Sequence, residues 1–223
     1  MSVYMTEEEQ LEIIKKWWNK HNSKITTSLA VLLLCFSAYK YWSWHQEKVV
    51  IQASNNYEHM MLASADKNDK DIEAYANALI KEYGKTVYAD GARLLLAKQQ
   101  VKHNNYKAAG ATLEKVMTDS KIPALKQVAR IRVARLLAAE KSYDSALTTL
   151  NSINDQAYMS LINELKGDIF VALGRYQEAI LSYKDAIKEA NTQGMEKQFL
   201  EMKTNALLAV SKSSNENSEI KAA

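Results

Sequence analysis

The spacing of apolar positions changes twice along this chain, and each change marks a different kind of element. Near the start, Leu11, Ile13, Ile14, Trp17 and Trp18 occupy one arc of a helical wheel. Glu8, Glu9, Glu12, Lys15, Lys16 and Lys20 fill the other. This pattern predicts a short amphipathic helix, opened by the capping-box sequence Thr6-Glu7-Glu8-Glu9. Its apolar face suits either the headgroup layer of a bilayer or the surface of a partner, and the first needs no partner. From Ile25 to Tyr39 the chain then reads ITTSLAVLLLCFSAY, without a charge. As a helix, Ile25–Trp44 spans roughly 30 Å, the thickness of a bilayer core. Lys40 falls near the end of this window, where a long side chain reaches the headgroups. Trp17 and Trp18 precede the span, and Tyr39, Tyr41, Trp42 and Trp44 close it, as interfacial aromatics do.

Beyond the span the apolar positions follow a period of about 3.6 residues. Glu47 to Ala63 reads as a helix continuing out of the membrane, and Asp66-Lys67-Asn68-Asp69 as a turn. Ile72, Tyr75, Ala76, Leu79, Ile80 and Tyr83 form the next apolar stripe, with Gly84 as the expected C-cap. Helix pairs follow at 86–103 with 105–119, 123–140 with 142–152, and 156–173 with 175–190. Pro123 suits the first turn of a helix, and Asn104-Asn105 and Gly174 suit tight turns. Residues 195–210, with Met195, Phe199, Met202, Leu207 and Val210, predict a helix closing the last pair. Ser211 to Ala223 reads as a polar disordered tail.

A small motif recurs in the paired region. It reads Tyr106-Lys107-Ala108-Ala109, Tyr143-Asp144-Ser145-Ala146 and Tyr176-Gln177-Glu178-Ala179. The last alanines, at 109, 146 and 179, are 37 and 33 residues apart, the period of a helix–turn–helix repeat. Each motif opens a second helix: the Ala permits close packing on the first helix, and the Tyr ring is expected to fill the gap at the turn. One helical turn after each Ala stands a large residue, Leu113, Leu150 or Tyr183. The third copy, with Gly167, Phe170, Gly174, Tyr176, Ala179, Tyr183 and Ala186, resembles the tetratricopeptide repeat family. The first two copies depart from it, with Ala97 and Ala134 where the third has Gly167. The resemblance implies an all-α fold, a right-handed superhelix of antiparallel helix pairs behind one N-terminal transmembrane helix. Such a scaffold is a binding surface far more often than an active site.

The apolar span reads as an uncleaved anchor. A cleaved signal would need a short basic start and an A-x-A-like site. Leu32-Leu33-Leu34-Cys35 lacks the small residue before Cys that a lipobox requires. Lys15, Lys16, Lys20 and Lys24 precede the span, against Lys40 and Lys48 at or after its exit. The excess of basic residues places the N-terminus in the cytoplasm and everything from about Gln46 onward across the membrane. In a bacterium that compartment is the periplasm.

Composition narrows the chemistry. One Pro, 6 Gly and abundant Ala, Leu, Lys and Glu favour helix throughout. A net charge of +3 without a long basic run argues against nucleic acid. Cys35, the lone cysteine, rules out an intrachain disulfide or a cysteine-based zinc site. His21, His45, His59 and His103 share no helical turn, and no phosphate loop, H-E-x-x-H or nucleophile elbow occurs. No catalytic, cofactor-binding or metal-ligating set can be assembled, so no cofactor and no enzymatic activity are expected.

The remaining candidate is the groove expected along the first helix of each pair. Aligned on the motif alanine, its positions fall on Leu94, Lys98, Val101 and Lys102 in the first copy. They fall on Val128, Ile131, Arg135 and Ala138 in the second, and on Leu161, Glu164, Asp168 and Val171 in the third. Such a groove is apolar along its length, basic toward the first copies and acidic toward the last. It suits an extended or partly folded polypeptide, or stands hydrated without a ligand.

The order of parts carries a second resemblance. Gln10-Leu11-Glu12, Lys15-Lys16-Trp17-Trp18, one span, then Tyr41-Trp42 and His45-Gln46 resemble the YfgM-type ancillary SecYEG translocon subunit family. That resemblance implies a cytoplasmic segment at 1–24, a transmembrane helix at 25–44, a periplasmic repeat domain at 45–210 and a tail at 211–223. It implies a single-pass protein of the bacterial inner membrane that meets the translocon and the bilayer through Trp17, Trp18, Lys40, Tyr41 and Trp42. Its partners would be SecYEG, the periplasmic chaperone PpiD and unfolded secretory polypeptides, which it would bind or hand over. The alternative is a scaffold for an envelope assembly or stress-signalling complex without chaperone activity.

Overall fold

The computed structural model describes residues 7–190 and 197–209, which form helices joined by short turns. Thr6, Met195, Val210 and the tail at 211–223 lie outside these residues. The chain divides into two compact units, Met1–Ser54 and Asn55–Ala223.

The first element, α1 (Glu7–Ala65), is a single helix of 59 residues. The amphipathic stretch, the apolar stretch and the segment after it therefore form one element rather than separate helices. The reason is local: no Gly or Pro occurs between Glu7 and Ala65, so nothing interrupts the backbone hydrogen bonds. Within the first unit Leu29, Leu32, Leu33, Leu34 and Phe36 are all exposed. Among the described residues, α1 is the helix long and apolar enough to cross a membrane, and none of its apolar window is buried in protein. Near the end of that window, Lys48 Nζ lies 3.7 Å above the Trp44 ring.

The second unit opens with the last turns of α1. There Tyr57 packs on Tyr88, His59 stacks on Tyr75, and Met60 is fully buried. Then come α2 (Asp69–Glu82), α3 (Val87–Lys102), α4 (Tyr106–Asp119), α5 (Pro123–Ala139) and α6 (Tyr143–Asn151). A single 3₁₀ turn, Gln156–Tyr158, precedes α7 (Met159–Ala172), so the helix expected from 156 starts one turn later. The Asp155 carboxylate accepts from the Ala157 N–H and fixes that turn. After α8 (Tyr176–Glu189), residues 197–209 form a last helix, α9. From α2 to α8 each helix packs on its neighbours in sequence, the nearest-neighbour order of a repeat array.

The turns show what the residues do. Asn104, Lys141 and Gly174 all have left-handed φ, near 59°, 62° and 72°, and each stands two positions before a motif Tyr. In each hairpin the next residue's N–H closes the turn at 2.8 Å, Asn105 on Gln100 O, Ser142 on Leu137 O and Arg175 on Phe170 O. Gly84 behaves otherwise than expected. The cap of α2 is Tyr83, with φ −121°, and Gly84 has no left-handed φ. Glycine is required there because a Cβ would stand 2.7 Å from Ile80 O. The Gly84 carbonyl accepts from the Arg93 guanidinium, itself paired with the buried Asp90 at 2.9 Å.

Packing explains why the third copy differs. Ala109, Ala146 and Ala179 are fully buried, as are, nearly, Leu113, Leu150 and Tyr183 one turn later. A Cβ on Gly167 would stand 2.4 Å from the Tyr183 ring. In the first two copies the smaller Leu113 and Leu150 leave room for Ala97 and Ala134 in the same clusters. Small and large residues thus exchange across the helix pair. Tyr106 and Tyr143 pack against the core, but Tyr176 stays exposed and fills no gap. At that corner the Arg175 guanidinium covers the Phe170 ring instead, at 4.7 Å.

Candidate functional site: a basic cavity between α3 and α5

Helices α3 and α5 open a cavity of about 380 Å³ between them. Its floor is apolar and buried, formed by Ala97, Leu113 and Leu136, with Val101 and Ala139 at its walls. Lys98, Arg132 and Arg135 complete the lining, and no acidic residue contributes. Arg132 is held across the helix pair, where its Nη1 donates to Leu94 O at 2.8 Å. Burial lowers the Arg132 pKa from its ordinary value, and the neighbouring charge of Arg135 lowers it further. Among the described residues, no carboxylate stands within ion-pair distance of Lys98, Arg132 or Arg135.

The twelve positions assigned to a groove therefore divide. Lys98, Val101 and Arg135 line this cavity together. Leu94 and Ile131 do not face a ligand: they are core residues, 8% and 2% exposed, because their helix positions turn toward α4 and α7 clusters. Val128 and Leu161 are half-buried against the same clusters, as is Ala138. Lys102 turns to α2 instead, its Nζ 2.6 Å from Asp69 Oδ2. The Lys102 hydrogen bond, helped by His103, holds the Asp69 carboxyl below its usual range.

At the third copy the acidic end is closed by the chain itself. Lys203 of α9 reaches Glu164 at 2.9 Å and Asp168 at 2.8 Å. The Tyr183 hydroxyl donates to Asp168 Oδ1 at 2.6 Å. Burial and then that hydrogen bond push the Tyr183 phenol far up. For Lys203, burial alone would lower the pKa, but the bonds to Asp168 and Glu164 together raise it. Sequence reasoning missed Arg132 and Lys203. Arg132 lies one turn from Arg135, a usable signal, whereas Lys203 lies beyond the last repeat and carried none.

On α1, Trp17, Trp18, Tyr41 and Trp42 are exposed to about half or more, with Lys40 exposed beside them. Trp17 tilts against His21, ring centres 5.2 Å apart. Among the described residues no three His, Cys, Asp or Glu side chains group closely enough to hold a metal ion.

The similarity to known proteins extends over α1 and the repeats together. A family model described as a tetratricopeptide repeat-like domain matches residues 15–209. An ancillary SecYEG translocon subunit of Aggregatibacter actinomycetemcomitans is 31% identical over 207 residues, 93% of this chain and 100% of the relative. The chain belongs to the ancillary SecYEG translocon subunit family. Further members of that family from Haemophilus influenzae and Escherichia coli are each 27% identical over 207 residues. These alignments cover 93% of this chain and 100% and 99% of the relatives. The family match begins inside the amphipathic part of α1 and ends at the last described residue of α9, so neither part is an appendage to it.

Proposed function

We propose that this chain is a non-catalytic ancillary subunit of the SecYEG translocon, anchored in the bacterial inner membrane by α1. Its N-terminus faces the cytoplasm, and its repeat array stands in the periplasm. There it receives secretory polypeptides as they emerge and passes them to periplasmic chaperones such as PpiD. The observation that carries this reading is the full-length match to relatives of that name, joined to an array with an open apolar-floored cavity. Open cavities with apolar linings are characteristic of surfaces that meet a partner, and repeat arrays serve as binding scaffolds. The lysines before the span support the orientation.

A photocrosslinking amino acid at Val101 tests the proposal in cells. Val101 is 39% exposed on the cavity wall, whereas Ile131 is buried and would report on the core. Crosslinks to secretory chains arrested during export, and to translocon subunits from a second probe at Trp42, are the expected result. Crosslinks from Val101 to folded partners alone would replace the hand-over role with that of a scaffold.

A further inference from the structure

We propose that the cavity between α3 and α5 selects polypeptide segments in which a carboxylate side chain stands beside a bulky apolar one. The inference rests on the polypeptide-binding reading above and specifies what is bound. Its volume, about 380 Å³, lies at the small end of the roughly 300–1,000 Å³ typical of ligand pockets. It therefore accepts a short segment rather than a folded element. Ala97, Leu113 and Leu136 offer no polar atom from their side chains, so only an apolar group displaces water from that floor favourably.

The charges supply the other half of the requirement. Lys98, Arg132 and Arg135 reach one cavity from two helices without a carboxylate partner among the described residues. Arg132 is anchored through a single N–H on Leu94 O, and a guanidinium has several further donors to offer. Such a pre-positioned donor loses little freedom on binding an anion. Burial first and the nearby charge of Arg135 second disfavour the charged Arg132, and a ligand carboxylate would relieve both. The acids of the third copy offer no counterpart for a basic segment, because Lys203 already occupies Glu164 and Asp168. Selection is therefore one-sided, for acid with apolar. A polypeptide in transit presents side-chain carboxylates along its length, which makes these the source rather than a chain terminus.

The test uses the full chain in lipid nanodiscs and fluorescent peptides of about ten residues, read by anisotropy. An amidated Leu/Glu alternating peptide should bind about tenfold or more tightly than its Leu/Gln, Leu/Lys and Ser/Glu counterparts, with added salt weakening it. Lys98→Glu with Arg135→Glu should reverse the preference toward Leu/Lys. Lys98→Gln with Arg135→Gln, a gentler change, should abolish the preference without altering the circular dichroism spectrum. Equal affinity for the Leu/Glu and Leu/Lys peptides, or an unchanged preference in the folded Gln variant, would overturn the proposal. So would binding of Leu/Gln that appears only when its C-terminal carboxylate is free. The two readings fail separately. Secretory chains still captured at Val101 in the Gln variant would sink the selectivity alone, and no capture in the native chain would sink the polypeptide-binding role.

Discussion

Replacing Gly167 with Ala sets helix propensity against packing at one position. Propensity alone favours Ala by about 1 kcal/mol in a helix interior. The new Cβ, however, would stand 2.4 Å from Tyr183 Cε1 and 2.6 Å from Cδ1. Tyr183 is 3% exposed and is tied by its hydroxyl to Asp168 at 2.6 Å, so the ring cannot swing aside freely. Overpacking of this kind costs about 1–3 kcal/mol, and a broken hydrogen bond about 0.5–1.5. The net loss is therefore about 2 kcal/mol once propensity is subtracted. Tyr183→Leu alone should also destabilise, by leaving a void beside Gly167. Together the two changes rebuild the Ala and Leu pair that the first copies already use at 97 with 113 and 134 with 150. The double variant should then be more stable than the sum of its parts by about 1–2 kcal/mol. Each kcal/mol is worth about 2–4 °C in melting temperature for a unit of this size. The readout should be circular dichroism of the full chain in detergent, because the 4 Trp all lie in α1 and do not report on the repeats. A neutral Gly167→Ala, or strictly additive changes, would refute the small-for-large exchange.

Three further outcomes are expected. Ala146→Leu forces bulk into a fully buried contact and should cost about 1–3 kcal/mol, measured as a lower melting temperature. Lys203 is charged more persistently in the fold than its ordinary value of 10.5 implies, so its ion pairs stabilise fully below that pH. That contribution fades as pH rises through the elevated folded value, and the melting gap between native chain and Lys203→Met should narrow there. Protease added to spheroplasts should remove residues after about Gln46 and spare the start of α1, while protection of the repeats would reverse the proposed orientation.

Much of the fold is legible because the repeat signal is redundant. Period, motif alanines and the large residue one turn later all point to the same helix pairs. The apolar window from Ile25 is equally plain, since no charge interrupts it before Lys40. What could not be read are matters of three-dimensional neighbourhood. That Leu94 and Ile131 face the core depends on where α4 and α7 sit, which spacing along α3 and α5 does not specify. The role of Gly84 also escapes, because a glycine after an apolar stripe reads as a left-handed cap whether it is one or merely avoids Ile80 O. Lys203 illustrates the same limit: a side chain from the closing helix, 35 residues beyond Asp168, removes two acids from the candidate groove.

The three left-handed residues of the motif hairpins are unequal in a way that bears on how the array fluctuates. Glycine adopts that conformation freely and asparagine nearly so, but for lysine it is unfavourable by about 1–2 kcal/mol. Lys141 bears that strain at the head of α6, which is also the shortest α-helix among the described residues, at 9 residues. Its Ser142 cap makes no side-chain hydrogen bond, whereas Asn105 caps α4 with one. Among the three motif hairpins, native-state opening should therefore begin in the second. Amides of Tyr143 to Asn151 are expected to exchange with solvent first, and Lys141→Gly should slow them while leaving α3 and α4 unchanged.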